Sequence, residues 1–179
     1  AVLIDYRSFR ARNTKQGVYY PYLLKEYRNR WFLICRNKVQ RNLVTLALDR
    51  VEGLEELLRE PYHTYPEVDF DHYFDDVLGV TKSEKDRPVK IVLGVRSETA
   101  PYVLTKPLHA SQIVLKETDR NTIIQIELVL NFELEREILG FGPQIKVLSP
   151  HHLVKRIATA LQQAAQLYQT PESPVPPEE

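Results

Sequence analysis

Residues 30–36 read Arg-Trp-Phe-Leu-Ile-Cys-Arg and hold the single tryptophan and the single cysteine of the chain. This apolar run between two arginines reads as a strand, and alternation puts Trp31, Leu33 and Cys35 on one face and Phe32, Ile34 and Arg36 on the other. Neither face is polar enough to be left to water, so one of them meets a partner or a ligand. Outward from this stretch, residues 2–9, 17–27 and 42–49 are also rich in Val, Ile, Leu, Tyr or Phe, with polar stretches between them. Pro21 interrupts the second run or places it on an edge. Strands this close together predict an antiparallel meander curled into a small barrel. Val51, Leu54, Leu57 and Leu58 recur at helical spacing and predict a helix over 49–60, weakened by Gly53 and stopped by Pro61.

Residues 61–88 read as a connector with one short helix, capped by Asp69 and ended by Gly79. The polar stretch 81–88 marks the domain boundary. Beyond it the pattern is a strand over 89–95, a helix from Glu98 to about Lys106, and a hairpin of 112–117 with 122–130. A helix capped by Asn131 runs to Gly140, followed by a strand over 144–148. Ser149-Pro150 then opens a last helix in which Leu153, Ile157, Leu161, Ala164 and Tyr168 form one stripe. The order β-α-β-β-α-β followed by α is the ferredoxin-like pattern. Residues 170–179, rich in Pro and Glu, are expected to be disordered. The expected class is mixed α/β (α+β): a barrel over 1–60, the connector, and a ferredoxin-like domain over 89–169.

The 179 residues suffice for one domain or two small ones. No run of eighteen apolar residues is present, so no membrane span is expected. One cysteine allows no internal disulfide and no secretion signal is visible, so the expected location is the cytoplasm. Position 1 is not methionine, which suggests that part of the natural protein lies upstream. Net charge is zero, yet residues 1–50 hold 11 Lys/Arg against 3 Asp/Glu (+8), and the rest 13 against 21 (−8). Such a split suggests two units with different partners.

No catalytic constellation emerges. His151 and His152 diverge by about 100° in a first helical turn, a poor arrangement for metal capture. The carboxylates of 69–76 lack the glycine and spacing of a calcium loop. Gly140-Phe141-Gly142-Pro143 follows a helix rather than preceding one, so it reads as a helix end and not a phosphate loop. Cys35 reads as a buried thiol. The chain is therefore expected not to be an enzyme and to need no cofactor or metal.

The basic N-terminal part carries the functional signal. Aromatic residues interleaved with arginines suit a pocket for a base or phosphate, since rings stack on bases and the guanidinium fork pairs with the anion. Charge and strand position single out Ser8, Tyr20, Arg36 and Arg41. Arg50 ends a mostly apolar strand and belongs at a barrel rim, where it either meets an anion or pairs with Asp49 or Glu52.

Tyr6, Pro21, the run Tyr22-Leu23-Leu24, Trp31-Phe32-Leu33 and Leu48-Asp49-Arg50-Val51 resemble the WYL domain of bacterial transcriptional regulators. Phe32 stands where the family triplet has tyrosine, which removes a hydroxyl. A further family arginine has no counterpart near Val44, and Arg41 is the candidate to compensate. Gly140-Phe141-Gly142-Pro143, Val147-Leu148-Ser149-Pro150 and Tyr168 resemble the C-terminal extension that commonly follows a WYL domain. The resemblance covers residues 1 to about 169. It implies an Sm-like five-stranded barrel with a ligand-sensing groove, and it adds Tyr6, Trp31, Phe32 and Arg50 to the candidate site. It also implies an upstream helix-turn-helix that alone would read duplex DNA, and a homodimer. The expected function is effector sensing and dimerisation for a DNA-binding regulator, with a nucleic-acid fragment or nucleotide-like anion as ligand. The alternative is a stand-alone Sm-like module for single-stranded RNA.

Overall fold

The computed structural model describes residues 1–9 and 11–169, so the expected disordered tail, 170–179, lies outside the described residues. The chain forms two compact units, one of Ala1–Pro88 with Val129–Glu133, the other of Val89–Leu128 with Leu134–Glu179.

In the first unit, β1 (Val2–Tyr6), β2 (Lys15–Tyr27), β3 (Arg30–Asn37), β4 (Leu43–Ala47) and β5 (Val51–Glu56) form one sheet in the order β4-β3-β2-β1-β5. All neighbours are antiparallel. β2 and β3 are joined by Arg28 and Asn29 alone, both with positive φ (52° and 62°), as the right-handed twist of a two-residue hairpin requires. Ile4, Leu33, Cys35 and Leu46 form the buried core, with Val2, Tyr6, Tyr19, Val44 and Val51 packed against it. The alternation expected for β3 is therefore observed: Leu33 and Cys35 point inward, while Trp31, on the same face, sits half-exposed beside the hairpin turn.

Burial pushes the Cys35 thiol up to about 12 from its ordinary 9.0. At pH 8 the native protein should therefore leave a disulfide reagent unreacted, and release one equivalent of chromophore only in denaturant. Rapid labelling of native protein would contradict this placement. Because the unfolded thiol ionises first, Cys35 also lowers stability as pH rises from about 9.

Three expectations are corrected. The barrel is not closed: β4 and β5 are the two edges of an open sheet. Only the 3-10 turn Leu48–Arg50 separates them in sequence. Four residue steps span at most about 14 Å, whereas five flat strands spread their edges about 19 Å apart, so the sheet must curl strongly. Second, the predicted helix over 49–60 is this turn followed by β5. β1 offers an unpaired edge to residues 51–56, and of the helically spaced residues Val51 packs on the core while Leu54 and Leu58 are exposed. Third, residues 69–79 form turns and bends rather than a helix.

That connector covers the second face of the sheet. Tyr22 stacks on Phe70 (4.9 Å between centroids) and Tyr65 (6.0 Å), and Tyr20 meets His63 edge-on at 4.9 Å. Tyr62 donates its hydroxyl hydrogen to the Pro21 carbonyl (2.7 Å), and Tyr22 donates to that of His63 (2.9 Å). Ile34, on this face, is 1% exposed. The face of β3 that Phe32, Ile34 and Arg36 share thus meets the chain's own aromatic segment. Residues 129–133 are tied to the same unit: Asn131 donates to the carbonyls of Leu78 and Thr81 (2.9 and 3.1 Å), and Thr81 donates its hydroxyl hydrogen to Glu133 (2.7 Å).

The second unit contains β6 (Val89–Arg96), α1 (Ala100–Thr105), β7 (Ile113–Glu117), β8 (Asn121–Leu128), α2 (Phe132–Gly140), β9 (Ile145–Ser149) and α3 (His151–Gln169), α2 beginning at the two residues assigned to the first unit. Its antiparallel sheet has the order β7-β8-β6-β9. Ile91, Leu93, Val95, Ile124, Ile126 and Leu128 are essentially solvent-free, as are Leu134, Ile138 and Leu153 of the helices. Among the described residues, no helix is long and apolar enough to cross a membrane.

Candidate functional site

The sequence-predicted residues fall into three places on the first unit. Tyr20, Arg36 and Arg41 line one cleft of about 260 Å³ together with Lys38 and His63, which sequence reasoning had not singled out. Tyr20 on β2 stands directly opposite Arg36 on β3. Arg41 ends the tight β3–β4 loop, where the Asn37 side-chain oxygen accepts from the backbone N–H groups of Val39 and Gln40 (both 2.9 Å). Arg41 itself has φ 58°. The Arg36 Nε donates to the Arg41 carbonyl (3.2 Å), and its guanidinium lies 4.8 Å over the Tyr65 ring. The Arg36 side chain is thus oriented by a backbone and a ring contact, while Arg41 is exposed. Among the described residues, neither is held in an ion pair with a carboxylate.

Glu60 is fixed beside this cleft by two of its lining residues. It pairs with Lys38 Nζ (2.7 Å) and accepts from the Tyr20 hydroxyl (2.9 Å). The bond from Lys38, then that from Tyr20, lowers the pKa of Glu60. Burial first, and the bond to Glu60 second, raise that of Tyr20. Lys38 is thereby partly neutralised, and the free positive charge of the cleft rests on Arg36 and Arg41.

Ser8 and Arg50 line a second cleft, of about 360 Å³, with Arg7 and Phe9 and the carboxylates of Asp49 and Glu52. The Arg50 guanidinium lies 3.9 Å over the ring of Phe9, which is 76% exposed. Its Nε is shielded from solvent and has no hydrogen-bond partner. Asp49 is engaged by Arg30 (3.2 Å) and Glu52 by Arg7 (3.7 Å), and among the described residues neither forms an ion pair with Arg50.

The remaining candidates are not brought together with either group. Tyr6 packs on the core, and its hydroxyl accepts from the Ala47 N–H (3.3 Å). Trp31 lies five residues from Arg36 along β3, about 17 Å. Phe32 stands opposite Ala47, just before the turn that carries Arg50. A third hollow has the five carboxylates of Glu67, Asp69, Asp76, Glu84 and Asp86 against the cations Lys82 and Arg87, and does not suit an anion. Among the described residues, no group of three His, Cys, Asp or Glu is placed to hold a metal ion. Lys38 and His63 were findable in principle: one adjoins the Asn37 turn, the other is the first histidine after Pro61.

Residues 1–56 match the family model described as WYL domain, and residues 87–165 that described as WCX domain. No curated protein sequence is significantly similar to the chain. Among solved structures, proteasome accessory factor B/C (PafBC) of Arthrobacter aurescens is similar over 99% of this chain and 27% of its own, with 16% identity and a TM-score of 0.46. A structure titled as a CRISPR Cas-related protein is similar over 94% of this chain and 47% of its own, with 17% identity and a TM-score of 0.55. The chain thus spans about a quarter and about half of the length of these two solved chains.

Proposed function

Because the chain joins a WYL domain to a WCX domain, we propose that it is the effector-sensing and dimerising region of a transcriptional regulator. The strand order and the 3-10 turn before β5 support an Sm-like reading of the first sheet. The order β-α-β-β-α-β supports a ferredoxin-like reading of the second unit. The division of labour follows: residues 1–60 sense, 61–88 roof the sensing sheet, and 89–169 associate. The effector is a nucleic-acid fragment or a nucleotide-like anion. The observation that carries this is the pair Arg36 and Arg41, which share one cleft and, among the described residues, are in no ion pair with a carboxylate. The region performs no chemistry on its ligand and needs no cofactor. Duplex DNA is read by a helix-turn-helix module upstream, and the ligand shifts the population of regulator states.

The test is fluorescence anisotropy of labelled single-stranded oligonucleotides and free nucleotides at two salt concentrations. Two or three neutralised phosphates give a slope of log K against log salt of about −1.4 to −2.1. Failure of every such ligand to bind at low salt rejects the reading. Binding of RNA in strong preference to DNA favours a single-stranded RNA module instead.

Arg50 supplies the second contact. Arg50→Ala should weaken oligonucleotide binding about 10-fold or more, the worth of one charge-assisted hydrogen bond of about 1.5–3 kcal/mol. It should leave thermal stability unchanged or raised, because it removes a buried donor that has no partner. A lower melting temperature with unchanged affinity would assign Arg50 to scaffolding.

A further inference from the structure

The cleft that holds Arg36 and Arg41 is matched to one part of a nucleotide and not to the rest. Its volume, about 260 Å³, lies below the roughly 300–1,000 Å³ of pockets that enclose a drug-sized ligand. The tyrosine rings at it have no face left for a base. Tyr20 is 3% exposed, with Tyr62 and His63 set perpendicular to it at 6.4 and 4.9 Å. Tyr65 already carries the Arg36 guanidinium (4.8 Å) and stacks on Tyr22 (6.0 Å). The base of a bound nucleotide therefore stays outside, and the phosphate enters.

Charge then separates two kinds of phosphate. Lys38 and Glu60 offset each other at 2.7 Å. Arg36 and Arg41 remain, two guanidinium groups that stay protonated at any working pH. The Arg36 Nε is committed to the Arg41 carbonyl (3.2 Å), which leaves the N–H groups of its terminal nitrogens as donors. The backbone N–H of Arg41 is tied to the Asn37 carbonyl (2.8 Å), so the loop that presents the second guanidinium is fixed. A phosphodiester inside a strand brings one negative charge to this pair and leaves one cation unmatched. A phosphate monoester brings about −1.5 to −2 at pH 7, with three strong acceptor oxygens.

We propose that the cleft receives a phosphate monoester dianion, the group that ends a phosphorylated strand or a nucleoside monophosphate and that the interior of a strand lacks. Arg36 and Arg41 bind it, and the attached base lies outside the cleft. The proposal rests on the anion-binding reading above and names the group recognised.

Anisotropy titration tests it by changing the ligand and not the protein. Single-stranded oligonucleotides of one sequence, labelled on an internal base, end in a 5′-phosphate, a 3′-phosphate or hydroxyls only. They are titrated at low salt and about pH 7.5, above the second phosphate pKa of about 6. At least one phosphorylated form binds about 10-fold more tightly than the hydroxyl-ended one, the worth of one further charge-assisted hydrogen bond. In Arg36→Ala/Arg41→Ala, shown by its thermal melt to be folded, the preference falls to about 2-fold or less. Adenosine monophosphate, set against adenosine as a competitor, identifies the source. Competition at the concentration of the oligonucleotide assigns the cleft to a free nucleotide, and competition only far above it assigns the cleft to a strand end. Equal binding of all three oligonucleotides, with loss of binding in the double variant, overturns the monoester and leaves the anion reading standing. A preference that survives in the double variant overturns the proposal too, because the monoester is then held elsewhere. If nothing binds at low salt, both readings fall.

Discussion

Arg36→Ala/Arg41→Ala should weaken binding of a short single-stranded oligonucleotide by about 100-fold or more, with little change in melting temperature. Two charge-assisted hydrogen bonds at about 1.5–3 kcal/mol each amount to about 3–6 kcal/mol, and 1.4 kcal/mol is tenfold. The structural cost is small by comparison. The Arg36 Nε donates to the backbone carbonyl of Arg41, not to its side chain, so Arg41→Ala keeps that acceptor. Arg36→Ala gives up one exposed hydrogen bond and the contact over Tyr65, worth about 0.5–1 kcal/mol at such a site. Anisotropy titration and a thermal melt of the same samples separate the two terms. Unchanged affinity in a folded double variant would remove this cleft from the binding surface. Glu60→Gln should act in the opposite direction by freeing Lys38.

Gly79→Ala should be the most damaging single substitution in the first unit, costing about 2–4 kcal/mol. Gly79 has φ +96°, where other residues are strained by about 1–3 kcal/mol. An added methyl would also lie 2.5 Å from Glu133 Cγ and 2.8 Å from its Cβ. Glu133 cannot swing aside: it is 5% exposed and accepts from Thr81 Oγ1 (2.7 Å) and the Val80 N–H (3.3 Å). For a unit of this size the loss corresponds to a melting shift of about 10 °C or more. Gly140→Ala is the control, because no atom lies within 4 Å of the added methyl. It should be neutral or stabilising by up to about 1 kcal/mol in a helix. Similar melting temperatures for the two variants would refute the argument about Gly79.

The two halves of the chain were unequally legible. In β3 the alternation of Leu33 and Cys35 against Phe32, Ile34 and Arg36 is a local pattern, and the structure follows it. The element order of residues 89–169 was readable for the same reason: each helix and strand carries its own period. Strand β5 was not, because Val51, Leu54 and Leu58 imitate a helical face. Its strand state depends on the vacant edge of β1, almost fifty residues away. The roof was hidden too, since Tyr62, Tyr65 and Phe70 keep no regular spacing and act only through Tyr20 and Tyr22. Charge misled in a specific way. Residues 51–88 carry eleven of the acidic groups and belong to the same compact unit as the basic first fifty. The sign change therefore falls within one unit rather than between two. Likewise the candidate site was legible as residue types, but not as the separation of Arg36 and Arg41 from Arg50.

The two-residue connection at Arg28 and Asn29 also orders events in time. Closing it is a local step, of the kind completed in microseconds, whereas pairing β1 with β5 must first close a loop of about fifty residues. Each doubling of such a loop adds about 0.6 kcal/mol to the entropic barrier. The β2–β3 hairpin is therefore expected to form the folding nucleus, with β5 joining after the rate-limiting step. Truncations that loosen β3, such as Leu33→Ala, should mainly slow folding, while Val51→Ala on β5 should mainly speed unfolding. Chevron plots of the two variants, with the opposite assignment, would reverse this order. Until β5 arrives, the free edge of β1 stands open to any other strand, so the hazard of mispairing during synthesis is concentrated in the interval between these two steps.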